Sequence, residues 1–151
     1  MRGIDSKAHM TQLLEDYTLQ CRQLRPGTIN AGLSPRLVAC DPDEGWVELK
    51  YEVAEWMRNL RGSVHGGAVC AMFDNVMGAL AWCVTGGSPC PTVSLQTSFV
   101  RPLTVGATVH ARAELTSGGR TLTYTQARLW TEGEEARTLA TATAVYHTGG
   151  V

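Results

Sequence analysis

The sequence predicts a single α+β domain in which a curved antiparallel β-sheet wraps one long central helix, with a further helix at the N-terminus. The 151 residues suit one domain, and 44% of them are hydrophobic, which is enough for a core. The main observation is a run of twenty residues, 66–85, that carries a single charge, Asp74. An amphipathic segment precedes this run, and alternating segments typical of strands follow it.

The N-terminal helix is predicted over residues 11–24, where apolar side chains recur every three or four positions. Pro26-Gly27 follows this segment and indicates a loop that continues to Pro35. The residues that form the apolar face of the helix are Leu13, Leu14, Tyr17, Cys21 and Leu24.

A β-hairpin is predicted after this loop. Residues 36–40 form its first strand, and residues 41–45, rich in Asp, Pro and Gly, form its turn. Residues 47–53 alternate strictly between apolar and charged side chains, which predicts a second strand with one buried face and one wet face. The apolar set is Val47, Leu49, Tyr51 and Val53, and the charged set is Glu48, Lys50 and Glu52.

The apolar run is predicted to be a buried helix over residues 66–84. By length alone it could span a bilayer. It opens with two glycines, contains a central Asp-Asn pair and is followed by no basic residue for fifteen positions, which argues against a membrane span. A helix that is apolar all round must then be covered on every side by the rest of the domain.

Four strands are expected after the turn at Gly86–Pro89, because the remaining sequence alternates or is rich in Thr, Val, Leu and Tyr. Short turns at residues 117–120 and 132–135 separate the last three strands. Consecutive strands joined by short turns predict an antiparallel meander. The four segments are residues 93–99, 108–115, 121–131 and 137–147.

Composition narrows the functional classes and the compartment. A formal net charge of −1 argues against a nucleic-acid partner or an anionic membrane partner. Five cysteines without a C-x-x-C pair, together with a start that lacks a secretion signal, favour the cytoplasm. The four histidines lack the spacing of metal ligands, so we expect no metal. Because His9-Met10 is what a common restriction site at a start codon encodes, we expect residues 1–9 to be a tag remnant or a disordered terminus and residues 10–151 to form the domain.

Asp74 is the leading candidate for a catalytic residue. An ionised carboxylate in an apolar helix is costly unless it is paired, and such positions are enriched in function. The alternative is a structural role, in which Asp74 caps a neighbouring element or forms a hydrogen bond with Thr92. Small residues share its helical face and leave room for a ligand or for another helix: Gly67, Ala71, Gly78 and Ala81.

His65, Gly66 and Gly67 stand where the central helix begins. Free N–H groups and the positive end of the helix dipole favour an anion at this position, or a carbonyl oxygen that becomes one. Glycines also allow a ligand to approach the backbone closely. A tight loop would require the same glycines, so this motif by itself does not decide between the two roles.

Six spaced positions stand before and within the central helix: Asn59, Gly62, His65, Gly66, Gly67 and Asp74. This set resembles the hotdog-fold acyl-CoA thioesterases, most closely the PaaI-like and thioesterase superfamily member 2 types. The similarity covers about residues 45–147 and includes the segment Pro91–Pro102 after the helix. Some branches of that family carry Glu where this chain has Asp.

The resemblance implies the hotdog fold, a sheet wrapped around a central helix, and hydrolysis of acyl-CoA thioesters without a cofactor. It further implies that Asp74 is the base or nucleophile and that the Gly66 N–H polarises the thioester carbonyl. Asn59 would position the substrate or the attacking water. His65 would orient the loop near the thiol leaving group, and Thr92 would bond to the carboxylate or to the water.

The spacing of Gly66 and Asp74 predicts that the active site needs two chains. Eight residues separate them, which is about 12 Å along a helix. One thioester carbonyl cannot lie close to both groups. A two-fold interface with antiparallel helices would bring Gly66 of one chain to Asp74 of the other, so we expect a homodimer, or a dimer of dimers, with equivalent sites.

Substrate binding is assigned to Gly67 at the helix start and to four arginines that could hold the CoA phosphates. Two other functions remain open at this point. One is an acyl-CoA-binding hotdog module without catalysis, and the other is an acyl-thioester dehydratase or hydratase, a class that often has Pro after the His where Gly66 follows here. The four arginines are Arg58, Arg61, Arg101 and Arg120.

Overall fold

The computed structural model describes residues 4, 6–24 and 26–149. A six-stranded antiparallel sheet curves around the long helix, with two helices before the first strand. The elements are α1 (Lys7–Gln23), α2 (Ile29–Leu33), β1 (Arg36–Asp41), β2 (Trp46–Glu52), a 3₁₀ turn (Glu55–Met57), α3 (Gly66–Val84), β3 (Thr92–Phe99), β4 (Thr108–Gly118), β5 (Leu122–Thr131) and β6 (Ala140–His147).

Helix α3 is the centre of the core, and its bounds are those predicted from the sequence. By length and composition it could cross a membrane, but its apolar side chains are instead covered by the sheet and by α1. Burial of this many apolar side chains is the main stabilising term of the fold, because each removes surface from water. The predicted bulky face is buried throughout: Val69, Met72, Phe73, Val76 and Leu80.

The strand order β1-β2-β4-β5-β6-β3 corrects part of the predicted meander. Strands β4, β5 and β6 do follow one another, but β3 pairs with β6 at one edge instead of lying beside β4. The place next to β4 is taken by β2, in an unbroken register from Trp46↔Glu114 to Glu52↔Thr108. This pairing joins the buried faces of β2 and β4 against α3, which a β3–β4 pair would have separated.

The prediction of one wet face on β2 is wrong at Glu48. Its side chain is only 8% exposed. Arg112 donates to Glu48 Oε2 from Nε at 3.0 Å and from Nη2 at 2.7 Å, and His110 Nδ1 lies 2.7 Å from Oε1. Arg112 also stacks over Trp46, so the neighbouring strand covers the carboxylate and supplies its partners.

The helical part before β1 is longer than predicted. Helix α1 begins at Lys7, because Ser6 caps it by accepting a hydrogen bond from the His9 N–H. Residues 7–9 are therefore helical, whereas residues 1–3 and 5 of the expected tag or disordered terminus lie outside the described part of the chain. The expected loop up to Pro35 contains the short helix α2, which Thr28 caps at the Ala31 N–H.

Replacement of Phe73 with Ala tests the central role of α3. Phe73 is fully buried, so we expect the free energy of unfolding to fall by about 3–5 kcal/mol. Urea denaturation at a fixed protein concentration measures this change. Thr116→Ala, at an exposed position of β4, is the control and should change stability by less than about 0.5 kcal/mol. A Phe73 variant as stable as this control would contradict the assignment.

Candidate active site at the two ends of a helical segment

The carboxylate of Asp74 is held by one of its two oxygens. Thr92 Oγ1 donates to Asp74 Oδ1 at 2.8 Å, so the contact predicted between these residues is confirmed. The Tyr146 hydroxyl donates to the same oxygen at 3.0 Å. Oδ2 has no hydrogen-bond partner among the described residues. Asp74 therefore presents one fixed oxygen and one unoccupied oxygen.

Tyr146 is a residue that sequence reasoning missed. It lies on β6, directly opposite Thr92 in the β3–β6 register, and its hydroxyl is also 3.0 Å from the Asp74 carbonyl oxygen. The strand around Tyr146 is rich in Thr and Ala, and the tyrosine lies on its buried face. This sequence context indicates only that Tyr146 packs in the core. Its contact with Asp74 depends on the pairing of β3 with β6, which the predicted meander did not contain.

A cavity of about 360 Å³ adjoins the carboxylate. Its walls are mainly apolar, with Asn30 and Thr92 adding polar groups beside Asp74, as is usual for small-molecule sites. The contribution of α2 to this cavity was also missed, because that helix was predicted as loop. The lining residues are Ile29, Asn30, Cys70, Ala71, Asp74, Thr92 and Leu95.

A buried polar network beneath the cavity holds Asn30 in place. Asn75 Nδ2 donates to Asn30 Oδ1 at 3.2 Å, and Asn75 Oδ1 accepts from the Tyr51 hydroxyl at 2.9 Å. Tyr17 on α1 donates to the Asn75 carbonyl oxygen at 3.2 Å. Each polar group of this network thus has a hydrogen-bond partner, which removes most of the free-energy cost of burying it. The network fixes α1 and α2 to the same turn of α3 that carries Asp74.

Burial keeps the Tyr146 hydroxyl and the Cys90 thiol, both near Asp74, protonated at neutral pH. It raises the pKa of the Tyr146 hydroxyl far above its ordinary value, and the nearby Asp74 charge adds to the effect. Burial and the Asp74 charge likewise raise the pKa of the Cys90 thiol to about 11. Tyr146 is therefore a hydrogen-bond donor across the physiological range, and Cys90 is a thiol rather than a thiolate.

The start of α3 leaves one backbone N–H available. His65 caps the helix, with Nδ1 accepting from the Gly67 N–H at 2.9 Å and its carbonyl oxygen accepting from Ala68 and Val69. The Gly66 N–H makes no hydrogen bond within residues 4, 6–24 and 26–149. Because the neutral ring accepts at Nδ1, its proton is on Nε2. A second cavity, of about 350 Å³, adjoins Gly66 and Phe99.

Asn59 shapes the loop before α3. Its Nδ2 donates to Ser63 Oγ at 2.8 Å and to the Val64 carbonyl oxygen at 3.2 Å. Its Oδ1 accepts from the backbone N–H groups of Arg61 at 2.8 Å and Ser63 at 3.2 Å. All four bonding positions of the amide are therefore used within the loop. A direct contact with substrate or water would have to displace one of them, so that role stays a prediction.

The four candidate arginines differ in availability. Arg58 pairs with Glu55 and donates to the Gly62 carbonyl oxygen at 2.8 Å, which makes it a part of the loop. Arg101 donates to the Thr138 carbonyl oxygen at 2.6 Å and lines the cavity beside Gly66. The side chains of Arg61 and Arg120 form no hydrogen bond or ion pair with any residue that the structure describes.

Within one chain, the Asp74 carboxylate and the Gly66 N–H remain apart. The cavity at Asp74 and the cavity at Gly66 share no lining residue, and about 12 Å of helix separates the two positions. Elsewhere in the described ranges, no three His, Cys, Asp or Glu side chains come together as metal ligands would. The arrangement therefore offers a carboxylate at one place and a polarising N–H at the other.

Comparison with known proteins identifies the family of this arrangement. Residues 61–138 match the family model of the Thioesterase superfamily. Human acyl-coenzyme A thioesterase 13 is 28% identical over 93 residues, which are 62% of this chain and 65% of the human protein. The chain thus matches just under two thirds of the length of this curated relative.

Two solved structures are similar to this one. The phenylacetic acid degradation-related protein of Ralstonia eutropha JMP134 is 31% identical, with a TM-score of 0.72 over 87% of this chain and 98% of that one. Zebra fish thioesterase superfamily member 2 shares the fold, with a TM-score of 0.78 at 19% identity over 93% and 98% of the two chains. The predicted hotdog fold is confirmed, and this chain belongs to the thioesterase superfamily.

Proposed function

We propose that this protein hydrolyses acyl-CoA thioesters at a site that two chains form together. The observation that carries the proposal is the state of Asp74, which lines a cavity and whose Oδ1 accepts from two hydroxyls while Oδ2 has no hydrogen-bond partner among the described residues. A carboxylate held in this way is ready to act as a base or nucleophile. The name of the human relative, an acyl-coenzyme A thioesterase, supports the substrate class.

The chemistry begins at Asp74 Oδ2. Acting as a base, it removes a proton from water while the hydroxide attacks the thioester carbonyl carbon. Acting as a nucleophile, it attacks that carbon itself, and water then hydrolyses the resulting anhydride. In both routes the C–S bond breaks, the CoA thiolate leaves and takes up a proton, and the acyl group departs as a carboxylic acid. Thr92 holds the carboxylate in either route.

The Gly66 N–H stabilises the oxyanion that forms on the carbonyl oxygen. It is the unpaired donor of the first turn of α3, and the positive end of the helix dipole adds to its effect. His65 fixes the neighbouring Gly67 N–H through Nδ1 and is exposed, so its Nε2–H would be available to the sulfur of the leaving group. Asn59 contributes by holding the loop that leads into this helix start.

The phosphates of CoA would meet the arginines that the fold leaves available. Arg101 lines the cavity beside Gly66, while Arg61 and Arg120 are exposed. Arg58 is a weaker candidate, because Glu55 neutralises it. The reaction needs no cofactor in this scheme, since a thioester is activated and its thiolate leaves readily. We place this activity in the cytoplasm, where acyl-CoA is a soluble substrate.

The proposed partner chain is a second copy of this protein. Strand β3 is an edge of the sheet, and apolar residues along it are uncovered, with Val93 59% and Phe99 57% exposed. Such an edge is a ready template for pairing with another strand. Phe99 also borders the Gly66 cavity, so a two-fold contact through β3 would enclose that cavity. Further association of such dimers would give the dimer of dimers.

Replacement of Asp74 with Asn tests the reaction. Asn keeps an oxygen for Thr92 and Tyr146 but is neither a base nor a nucleophile, so we expect kcat for acyl-CoA hydrolysis to fall at least about 100-fold. Thiol release from a panel of acyl-CoAs measures this. Wild-type turnover in the variant would contradict the mechanism. Loss of enoyl-thioester absorbance without thiol release would instead identify a dehydratase, and tight binding without turnover would identify a binding module.

Replacement of Gly66 with Pro tests both the N–H and the shared site. Proline is well tolerated at the first helical position, and His65 before it is already extended, at ψ 134°. The change removes the N–H, so we expect a loss of about 10²–10³-fold in kcat. Gly66→Ala is the matched control: it keeps the N–H while its Cβ meets the same Phe99 ring at 3.2 Å, and it should lose much less.

Mixed dimers of Asp74→Asn and Gly66→Pro chains then decide whether the site is shared. In a heterodimer, Gly66 of the Asp74→Asn chain meets Asp74 of the Gly66→Pro chain, so one of the two sites is intact. Random mixing in equal amounts should therefore recover roughly a quarter of wild-type activity, since about half of the dimers have one intact site of two. Isolated heterodimers that stay inactive would show that each site lies within one chain.

A further inference from the structure

The two donors to Asp74 Oδ1 come from one cross-strand pair. Thr92 on β3 and Tyr146 on β6 lie directly opposite each other in the sheet register. Their hydroxyls are 2.8 Å and 3.0 Å from the same carboxylate oxygen. Since side chains of such a pair lie on one face of the sheet, the β3–β6 pairing itself delivers both donors to one point on α3.

The two donors differ in how firmly they are held. Tyr146 is 1% exposed and its hydroxyl also contacts the Asp74 carbonyl oxygen, so the ring is fixed in the core. Thr92 is exposed at the first position of an edge strand. Tyr146 is therefore the donor whose position does not depend on solvent or on the order of the strand end.

No cation balances the charge of Asp74 in the described structure. The groups that bond to it, line the cavity beside it or lie near its charge are Tyr17 from α1, Asn30 from α2, Cys70 on α3 itself, Cys90 from the connection after α3, Thr92 from β3 and Tyr146 from β6. All of them are neutral at pH 7. The charge of Asp74 is thus stabilised by neutral hydrogen-bond donors and by the cavity beside it. Loss of either donor should therefore have a large effect on the carboxylate.

We infer that Tyr146 is a positioning residue for Asp74, which holds Oδ1 so that Oδ2 is the oxygen presented to the substrate. This inference rests on the proposed function for its effect on turnover. The hydroxyl favours this orientation of the carboxylate, because its single proton lies within reach of Oδ1 and of the Asp74 carbonyl oxygen, whereas no bond to Oδ2 is formed among the described residues. The pairing of β3 with β6 thereby contributes directly to the active site.

Replacement of Tyr146 with Phe tests this role. A hydrogen bond to a carboxylate favours its ionised form. Loss of the Tyr146 hydroxyl should therefore move the acid limb of the kcat profile to higher pH and lower its plateau about tenfold, with little change in KM. The buried ring keeps its packing, because only the hydroxyl is removed.

Tyr51→Phe is the matched control. Tyr51 is equally buried and its hydroxyl also contacts α3, at the Met72 carbonyl oxygen and Asn75 Oδ1, but it does not touch Asp74. This variant should lose stability without moving the acid limb. An unmoved acid limb in Tyr146→Phe, or the same shift in both variants, would overturn the inference.

A titration of the Asp74 carboxyl carbon by NMR separates this inference from the proposed function. Comparison with Asp74→Asn assigns the signal, and no activity is needed for the measurement. An upward shift of its pKa in Tyr146→Phe supports the positioning role even if no acyl-CoA is hydrolysed. Thiol release by the wild-type protein with an unchanged titration in the variant would keep the function and reject the role of Tyr146.

Discussion

Coverage of α3 is the constraint on which the remaining structure depends. A helix that is apolar on nearly every side can be stable in water only when other elements surround it, and one flat sheet face cannot do this. The sheet therefore curves around α3, and α1 closes the side that the sheet leaves open. Pairing of β2 with β4 follows from the same need, because it makes the concave face continuous.

Asp74 is the exception within this helix, and the fold accommodates it with hydroxyl groups instead of a cation. A bidentate pair with an arginine would satisfy the charge but would occupy both oxygens. Two hydroxyls on Oδ1 leave Oδ2 without a hydrogen-bond partner among the described residues, on a side chain that lines the cavity. The network centred on Asn75 serves the same turn of the helix from the other side, since it fixes α2 at the edge of that cavity.

The length of α3 separates the two groups that the proposed thioester hydrolysis requires. The unpaired Gly66 N–H and the Asp74 carboxylate stand about 12 Å apart on one rigid helix, so no side-chain movement brings them to one carbonyl. Association through the exposed edge strand β3 would solve this problem and cover apolar surface at the same time. Catalysis and self-association would then depend on the same interface, which ties the enzyme to its assembled form.

Local patterns in the sequence determined the extent of α3, the hairpin before it and the place of His65, Gly66 and Gly67 at the start of that helix. These features depend on periodicity, turn residues and short spacings along one helix. The tertiary structure alone decided that β3 pairs with β6 and that Tyr146 reaches Asp74. Such contacts join residues far apart in the chain. Their partners are chosen by which arrangement covers α3 best, and no local pattern records that competition.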